Sequence, residues 1–400
     1  MSTTDLVYSP YLYEIHEDPY PTYARLRAEA PVYRNDDGDF WALSRHADVV
    51  DGFRDSVRFS SSHGVSLDPA ASGPYAHRTM SFLAMDPPMH GRMRGLVSRG
   101  FTPRRVSQLE PRIRQLARGR LDVALAKGSF DFVGDLAGTL PMDVISELIG
   151  VPVADRDEVR RLSDLLVHRE EGMDDVPPAG VEAAFSLITY YADMLVQRRR
   201  QPTDDLTSAL LAAELDGDRL TDDEIMGFLF LMVVAGNETT TKLLGNAWYW
   251  AWRNPAERAK PFADPVRIPS WIEETLRYDT SSQMLARVTT TDVELHGTVI
   301  PAGERVVLIA GSANRDKRVF PNAHVYDLDR PERELQQIAS FGFGRHFCLG
   351  ASLARLEARV CLEELVARVA DYDIDPSGIR RVHSVNVRGF ATLPTTVVLR

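Results

Sequence analysis

The stretch that restricts this chain most is residues 341–350, FGFGRHFCLG. It places one cysteine, Cys348, in a loop punctuated by Gly342, Gly344 and Gly350. The loop leads directly into a segment with Leu353, Leu356, Val360 and Leu365 at helical spacing. Glycine supplies backbone freedom and close approach where a side chain would clash. Cys348 is therefore expected at or just before a helix N-terminus, where amide N–H groups and the helix dipole favour a thiolate. A single thiolate held in this way is a nucleophile or an axial metal ligand. The plainer alternative is a buried structural cysteine after a glycine-rich turn.

Composition narrows the partners. The chain has 400 residues and a formal net charge of −11. A nucleic-acid binder would be expected to lean the other way. Its two cysteines, Cys348 and Cys361, fall in the same C-terminal stretch. No disulfide framework is expected, and a reducing, cytoplasmic setting fits. Residues 1–8, MSTTDLVY, have no basic region followed by an apolar run, so neither a signal peptide nor a membrane anchor is expected. The longest apolar run, residues 225–235, is too short to span a bilayer.

Taken in order, residues 21–30 predict a short helix, and residues 32–43 a β-hairpin around a turn at Asn35 to Gly38. Ser44 is placed to cap a helix running through Phe53. Residues 59–81, rich in Ser, Gly and Pro, predict a long loop, and loops of that length in a compact protein tend to be functional. In residues 86–94, DPPMHGRMR, the prolines suit the first turn of a helix. His90 and Arg94 would then share a face suited to a carboxylate. Residues 105–149 read as helices, apart from a short stretch near Phe130 and Phe132. Residues 155–200 read as two helices separated by a polar break at 170–180.

Thr221 and Glu224 form a capping-box pattern ahead of a long helix that Asn254 and Pro255 stop. Its apolar first half breaks at residues 235–241, AGNETTT. A glutamate and three threonines inside a buried helix are poor helix design, and threonine hydroxyls can bond back and loosen the ladder. Local rules that fail inside a buried element point to function. Lys242, directly after this run, is a charge that the sequence does not explain. Glu274 and Arg277 stand at i, i+3. Strand-like stretches follow from Val288, the turn at Pro301 to Gly303 precedes another at Val306 and Val307, and residues 371–400 alternate like a strand pair.

The string F-G-x-G-x-H-x-C-x-G, with A/G-G-x-D/E-T at Ala235 to Thr239 and ExxR at Glu274 to Arg277, resembles the cytochrome P450 family. The likeness runs from His90 to Phe390. It implies a mainly α fold with small β-sheets (α+β) as one domain over residues 1–400, with haem between a long central helix and the helix after the cysteine loop. The cofactor implied is haem b (iron protoporphyrin IX), with Cys348 as axial thiolate. His346, His90, Arg94 and Arg287 correspond to propionate donors. Phe341, Ala235, Gly236 and Gly350 correspond to positions packed on the haem. Thr239 would hold and protonate iron-bound dioxygen, and Glu238 would relay protons. Glu274, Arg277 and Arg330 would form a structural brace.

The implied substrate pocket takes in Phe82, Phe228, Met232, Met284, Leu285 and Phe390. The loop over residues 59–81 would cover the distal haem face, and the break at 170–180 would be the lid. The reaction implied is insertion of one oxygen atom from O2 into a hydrophobic small molecule, by hydroxylation or epoxidation, in the manner of secondary-metabolite tailoring. The length leaves no room for a flavin domain, so the electrons would come from a separate ferredoxin and ferredoxin reductase. Arg92, Arg99, Arg104, Arg105 and Arg345 would form a basic docking patch. The alternatives are a peroxide-driven peroxygenase, a haem protein that only binds a ligand, and a thiol enzyme without haem.

Overall fold

The computed structural model describes residues 6–168, 173, 175–215 and 217–400, and shows a mainly helical chain with small sheets. The predicted hairpin is present as β1 (Val32–Asn35) and β2 (Phe40–Leu43), antiparallel with Val32 opposite Leu43. With β3 (Phe59–Ser60), β4 (Leu285–Thr289) and β5 (Arg305–Leu308) they make one sheet in the order β1-β2-β5-β4-β3. Another short strand, β6 (Phe390–Thr392), pairs with Arg380–Arg381. Antiparallel pairing of β5 with β4 sets Val306 opposite Arg287, which fixes where that arginine leaves the sheet.

The helices that position the site are α1 (Met89–Val97), α2 (Leu140–Ile149), α3 (Arg156–Val167), α4 (Pro178–Arg200), α5 (Asp222–Arg253), α6 (Ile268–Tyr278) and α7 (Ala351–Arg368). The central one, α5, runs 32 residues, about 48 Å at the usual helical rise. Its start is the predicted capping box: Glu224 N–H donates to Thr221 Oγ1 at 3.3 Å, and Thr221 N–H donates to Glu224 Oε2 at 2.9 Å. The polar run at residues 235–241 does not break it. Of the three threonines there, Thr239 bonds back, Oγ1 to the Ala235 carbonyl at 2.8 Å, and the ladder stays α-helical throughout. Leu353, Leu356, Val360 and Leu365 of α7 are all buried, as their spacing predicts.

Three local expectations need correction. Ser44 does not cap the helix that follows; its hydroxyl turns to the Pro31 carbonyl, and the free His46 N–H donates instead to Asp316 Oδ2 at 3.1 Å. A carboxylate from far along the chain is the stronger acceptor. Residues 59–81 are not one loop but hold β3 and short turns of helix at Pro69–Ala71 and His77–Met80. Pro87 and Pro88 precede α1 rather than forming its first turn, which begins at Met89. Of the predicted lid at 170–180, residues 170–172 and 174 lie outside those described, and α4 begins within it at Pro178. No helix among the described residues is long and apolar enough to cross a membrane.

Candidate active site

Cys348 sits between a short turn at Gly344–His346 and the start of α7. Its N–H donates to the Phe341 carbonyl at 2.9 Å, which closes the loop on itself. Gly344 has φ +69°, and a Cβ there would lie 3.0 Å from Arg54 Cα, so the loop can seat itself against the Phe53–Arg54 backbone only with glycine. A Cβ on Gly350 would come 4.0 Å from Cys348 Sγ, an ordinary contact. The amides of Gly350 and Ala351 and the charges of Arg94 and Arg355 do favour a thiolate, but burial outweighs them and pushes the Cys348 thiol up. The expected thiolate is thus not stabilised by the protein alone. Cys348 as a residue nonetheless keeps exposed surface. Cys361, by contrast, is fully buried, and burial takes its thiol to about 12.

Four cationic or potentially cationic side chains converge beside this loop. His90 and His346 stand with ring centroids 4.2 Å apart. Burial and then Arg94 drive the His90 imidazole down to about 4, and burial followed by Arg287 drives His346 to about 2. Burial takes the Arg287 guanidinium to about 10, with Asp86 opposing. His90 Nε2, both His346 ring nitrogens and Arg287 Nη2 are buried without a complete hydrogen bond. Asp86 is already committed to the Ser61 N–H at 2.9 Å and the Ser60 hydroxyl. Buried donors are normally satisfied, so this cluster has the chemistry of a site for an anionic group. Arg94 differs from the expectation: it spans to the cysteine loop, donating to the Arg345 carbonyl at 3.0 Å and the Phe347 carbonyl at 2.6 Å.

Across from the loop, α5 presents Phe228, Met232, Ala235 and Thr239 along one stripe at helical spacing. Ala235 is exposed in the middle of an otherwise buried helix, and Met232 and Thr239 are partly open. Phe228 is fully buried and meets Phe82 at 6.2 Å between ring centroids; Phe82 in turn touches His90 at 5.9 Å. Those residues are brought together. Gly236 is turned elsewhere, since a Cβ there would point at Ile145 of α2 at 3.6 Å, an ordinary contact. Phe341 lies at the loop with Arg355 4.5 Å above its ring.

Two pocket residues are not brought to this stripe. Phe390 is 1% exposed and packs on Tyr249 at 4.5 Å beneath Arg381. Tyr249 belongs to the neighbouring stripe of α5 that runs through Glu238, Lys242 and Gly245, and lies about 15 Å along the helix from Thr239. Met284 turns into the cluster around Tyr8 and Ile15, with the Tyr8 hydroxyl 3.6 Å from its sulfur. Leu285 is half-buried against the Leu43 and Phe53 cluster. The brace is present as predicted: Glu274, Arg277 and Arg330 are buried, with Glu274 Oε1 2.6 Å from Arg277 and Oε2 3.0 Å from Arg330.

Comparison with known proteins decides the family. The cytochrome P450 family model matches residues 268–370. A putative cytochrome P450 123 from Mycobacterium tuberculosis strain H37Rv is 59% identical over 397 residues, covering 99% of this chain and 98% of its own. The chain belongs to the cytochrome P450 family. The vitamin D(3) 25-hydroxylase of Pseudonocardia autotrophica is 40% identical, covering 95% of this P450 and 94% of its own length. The crystal structure of CYP109E1 from Bacillus megaterium with testosterone has a TM-score of 0.88 at 33% identity, covering 96% of this chain and 99% of that one. This P450 is therefore a haem-thiolate monooxygenase with a cysteine axial ligand. The residues present fit that cofactor. A cysteine that keeps exposed surface belongs to the same loop as His346, which with His90 and Arg287 offers buried donors without complete hydrogen bonds where two propionates could be held, and α5 carries an open stripe at Met232, Ala235 and Thr239.

Proposed function

We propose that Cys348 ligates the haem iron, that His346, His90 and Arg287 hold its propionates, and that Glu238 and Thr239 deliver protons to the oxygen site. The substrate is a hydrophobic small molecule seated over the Met232, Ala235 and Thr239 stripe, and the electrons come from a ferredoxin and its reductase. One observation carries the reading: buried donors with no anion of their own stand beside the only described cysteine that keeps open surface. Bound haem supplies dioxygen activation. The chain's own contributions are more local. The neutral imidazoles orient the carboxylates by donating N–H bonds, and the Arg287 guanidinium supplies the positive charge. Arg94 ties α1 to the cysteine loop through the Arg345 and Phe347 carbonyls and so holds the sulfur in place. Thr239 keeps its hydroxyl on the open face of α5 by bonding Ala235.

The relatives support the substrate class. One is named for hydroxylating vitamin D(3), and a solved neighbour holds testosterone; both ligands are large lipophiles. Gly236, Met284 and Phe390 are left out of the proposed contacts because of their placement here. The test is turnover of a spectrally detected hydrophobic ligand under 18O2 with a ferredoxin–reductase pair. One 18O atom per product is expected, and equal turnover with peroxide alone would overturn the reading. Thr239→Ala should lower product per electron pair by about a hundredfold, the usual worth of a positioned proton donor, with reducing-equivalent consumption continuing. Product yield is read against reductant oxidation.

The docking patch shrinks on inspection. Arg92 is bound to Asp218 and to Glu224, the latter at 2.5 Å, and the Arg99 side chain lies outside the described set. Arg104, Arg105 and Arg345 remain exposed. Charge reversal at Arg104 and Arg105 together should raise the apparent KM for ferredoxin about tenfold at low salt and less at high salt. A salt-independent or unchanged KM would remove this face as the docking site.

A further inference from the structure

Helix α4 carries an apolar face that the core does not use. One side of the helix is accounted for: Ala183, Leu187, Tyr191, Met194 and Leu195 are buried in the core. The other side leaves Val181, Phe185 and Val196 at 38%, 67% and 48% exposure. Phe185 is the most exposed of the described phenylalanines. A shallow hollow of about 480 Å³ opens beside it, lined also by Ser186, Thr189, Tyr190 and Asp193. Glu182, Phe185, Thr189, Val196 and Arg200 follow one another at steps of 3, 4, 7 and 4 residues, which keeps them in one stripe along the helix. All five are exposed. Arg198 and Arg199 are paired with Asp205 and Asp222. The Glu182 and Arg200 side chains, by contrast, have no hydrogen bond or ion pair with any described residue.

We propose that this face joins two copies of the chain by an antiparallel, two-fold pairing of their α4 helices. Reversing the stripe against itself about a point between Tyr190 and Tyr191 sets Phe185 opposite Val196 of the second copy. It also sets Glu182 opposite Arg200 of the second copy. A two-fold axis makes each of these contacts twice. Steps of three and four residues suit the shallow crossing of paired antiparallel helices. The branched Val196 side chain is of a size to enter the hollow beside Phe185. Each charge left without a partner in the monomer then meets its opposite.

The stripe complements its own reverse, which singles out a second copy as the occupant. A net charge of −11 disfavours an anionic lipid surface. An acidic redox protein would seek a basic patch rather than a face holding Glu182 and Asp193. The 23 residues of α4 extend about 35 Å, so one helix pair makes a contact at the small end of protein interfaces. Asp193, beside the axis, brings two like charges near each other and holds the affinity down. The dimer is therefore weak and exchanging, with a dissociation constant on the order of 10–100 µM.

The experiment is sedimentation velocity of the haem-loaded protein from about 1 to about 300 µM, a range that brackets the expected constant. Wild type should pass from monomer to dimer across it. Phe185→Ser should weaken association at least about thirtyfold, with the Soret spectrum and melting temperature at wild-type values, since that side chain lies mostly in solvent. Glu182→Arg and Arg200→Glu should each weaken association about tenfold. An equal mixture of those two variants should associate as wild type does, because both end contacts of the mixed pair again join opposite charges. Wild type that stays monomeric throughout would overturn the proposal, as would a dimer indifferent to Phe185→Ser. A mixture that recovers nothing would overturn the antiparallel pairing. A monomer that binds vesicles of phosphatidylcholine and phosphatidylglycerol through Phe185 would assign the face to lipid and overturn the dimer as well. None of these readouts involves turnover, so the outcome stands apart from the proposed function.

Discussion

Cys348→Ala is expected to abolish the strongly red-shifted Soret band of the reduced, carbon-monoxide-bound protein, together with all monooxygenase turnover. The band reports thiolate on iron, and a neutral ligand or water in its place withdraws the electron density that favours O–O cleavage. The protein does not hold the sulfur as an anion unaided, because burial raises the thiol despite the amides of Gly350 and Ala351 and the charges of Arg94 and Arg355. Iron binding must therefore provide the ionisation, as is general for metal-coordinated thiols. Haem retention should survive in part in the variant, since His90, His346 and Arg287 still offer donors to the propionates. Cys361→Ala is the control. That thiol is fully buried on α7, and its truncation should cost about 1 kcal/mol with the spectrum intact. A red-shifted band surviving in Cys348→Ala, or lost in Cys361→Ala, would move the axial ligand and with it the whole site.

The cysteine loop was legible because its chemistry is local: the glycines, the cysteine and the helix that follows all lie within one short string, and Gly344 is required by a backbone approach at Arg54. His90 and Arg94 shared a helix face as their spacing predicts, yet Arg94 found loop carbonyls that no spacing rule reveals. Phe390 and Met284 were misplaced for a related reason. An alternating tail or a strand entry shows that a side chain will be buried, but not against which stripe of α5 or which core cluster. Lys242 did carry a signal: it stands four residues after Glu238, the spacing of a helical ion pair, and its Nζ lies 3.2 Å from Glu238 Oε2. Ser44 lost its cap to Asp316 by the same kind of tertiary competition.

Glu274→Ala should be the most damaging substitution to the fold. Glu274 and Arg277 are completely buried, and Arg330 is 3% exposed. Both Glu274 oxygens are used, since Oε1 also accepts the Asp327 N–H at 2.9 Å. Arg277 spends its other donors on the Asn314, Ala323 and Val325 carbonyls, so the trio ties α6 to the segment that leads into the cysteine loop. Removing the carboxylate leaves two buried cations without their counter-ion, a change that costs about 3–5 kcal/mol. Against a total stability of about 5–15 kcal/mol, that predicts insoluble protein or a melting temperature lower by on the order of 10 °C. The adjacent residue gives the contrast. Glu273 pairs with Arg355 at 2.5 Å, but the two side chains are 23% and 37% exposed, and Glu273→Ala should cost no more than about 1 kcal/mol. Equal melting temperatures for the two variants would show that burial of the Glu274 trio does not brace the haem-side core. A large gap between them, with haem content falling in step with Glu274→Ala alone, would tie the fold of the cysteine loop to a charge cluster that never meets the substrate.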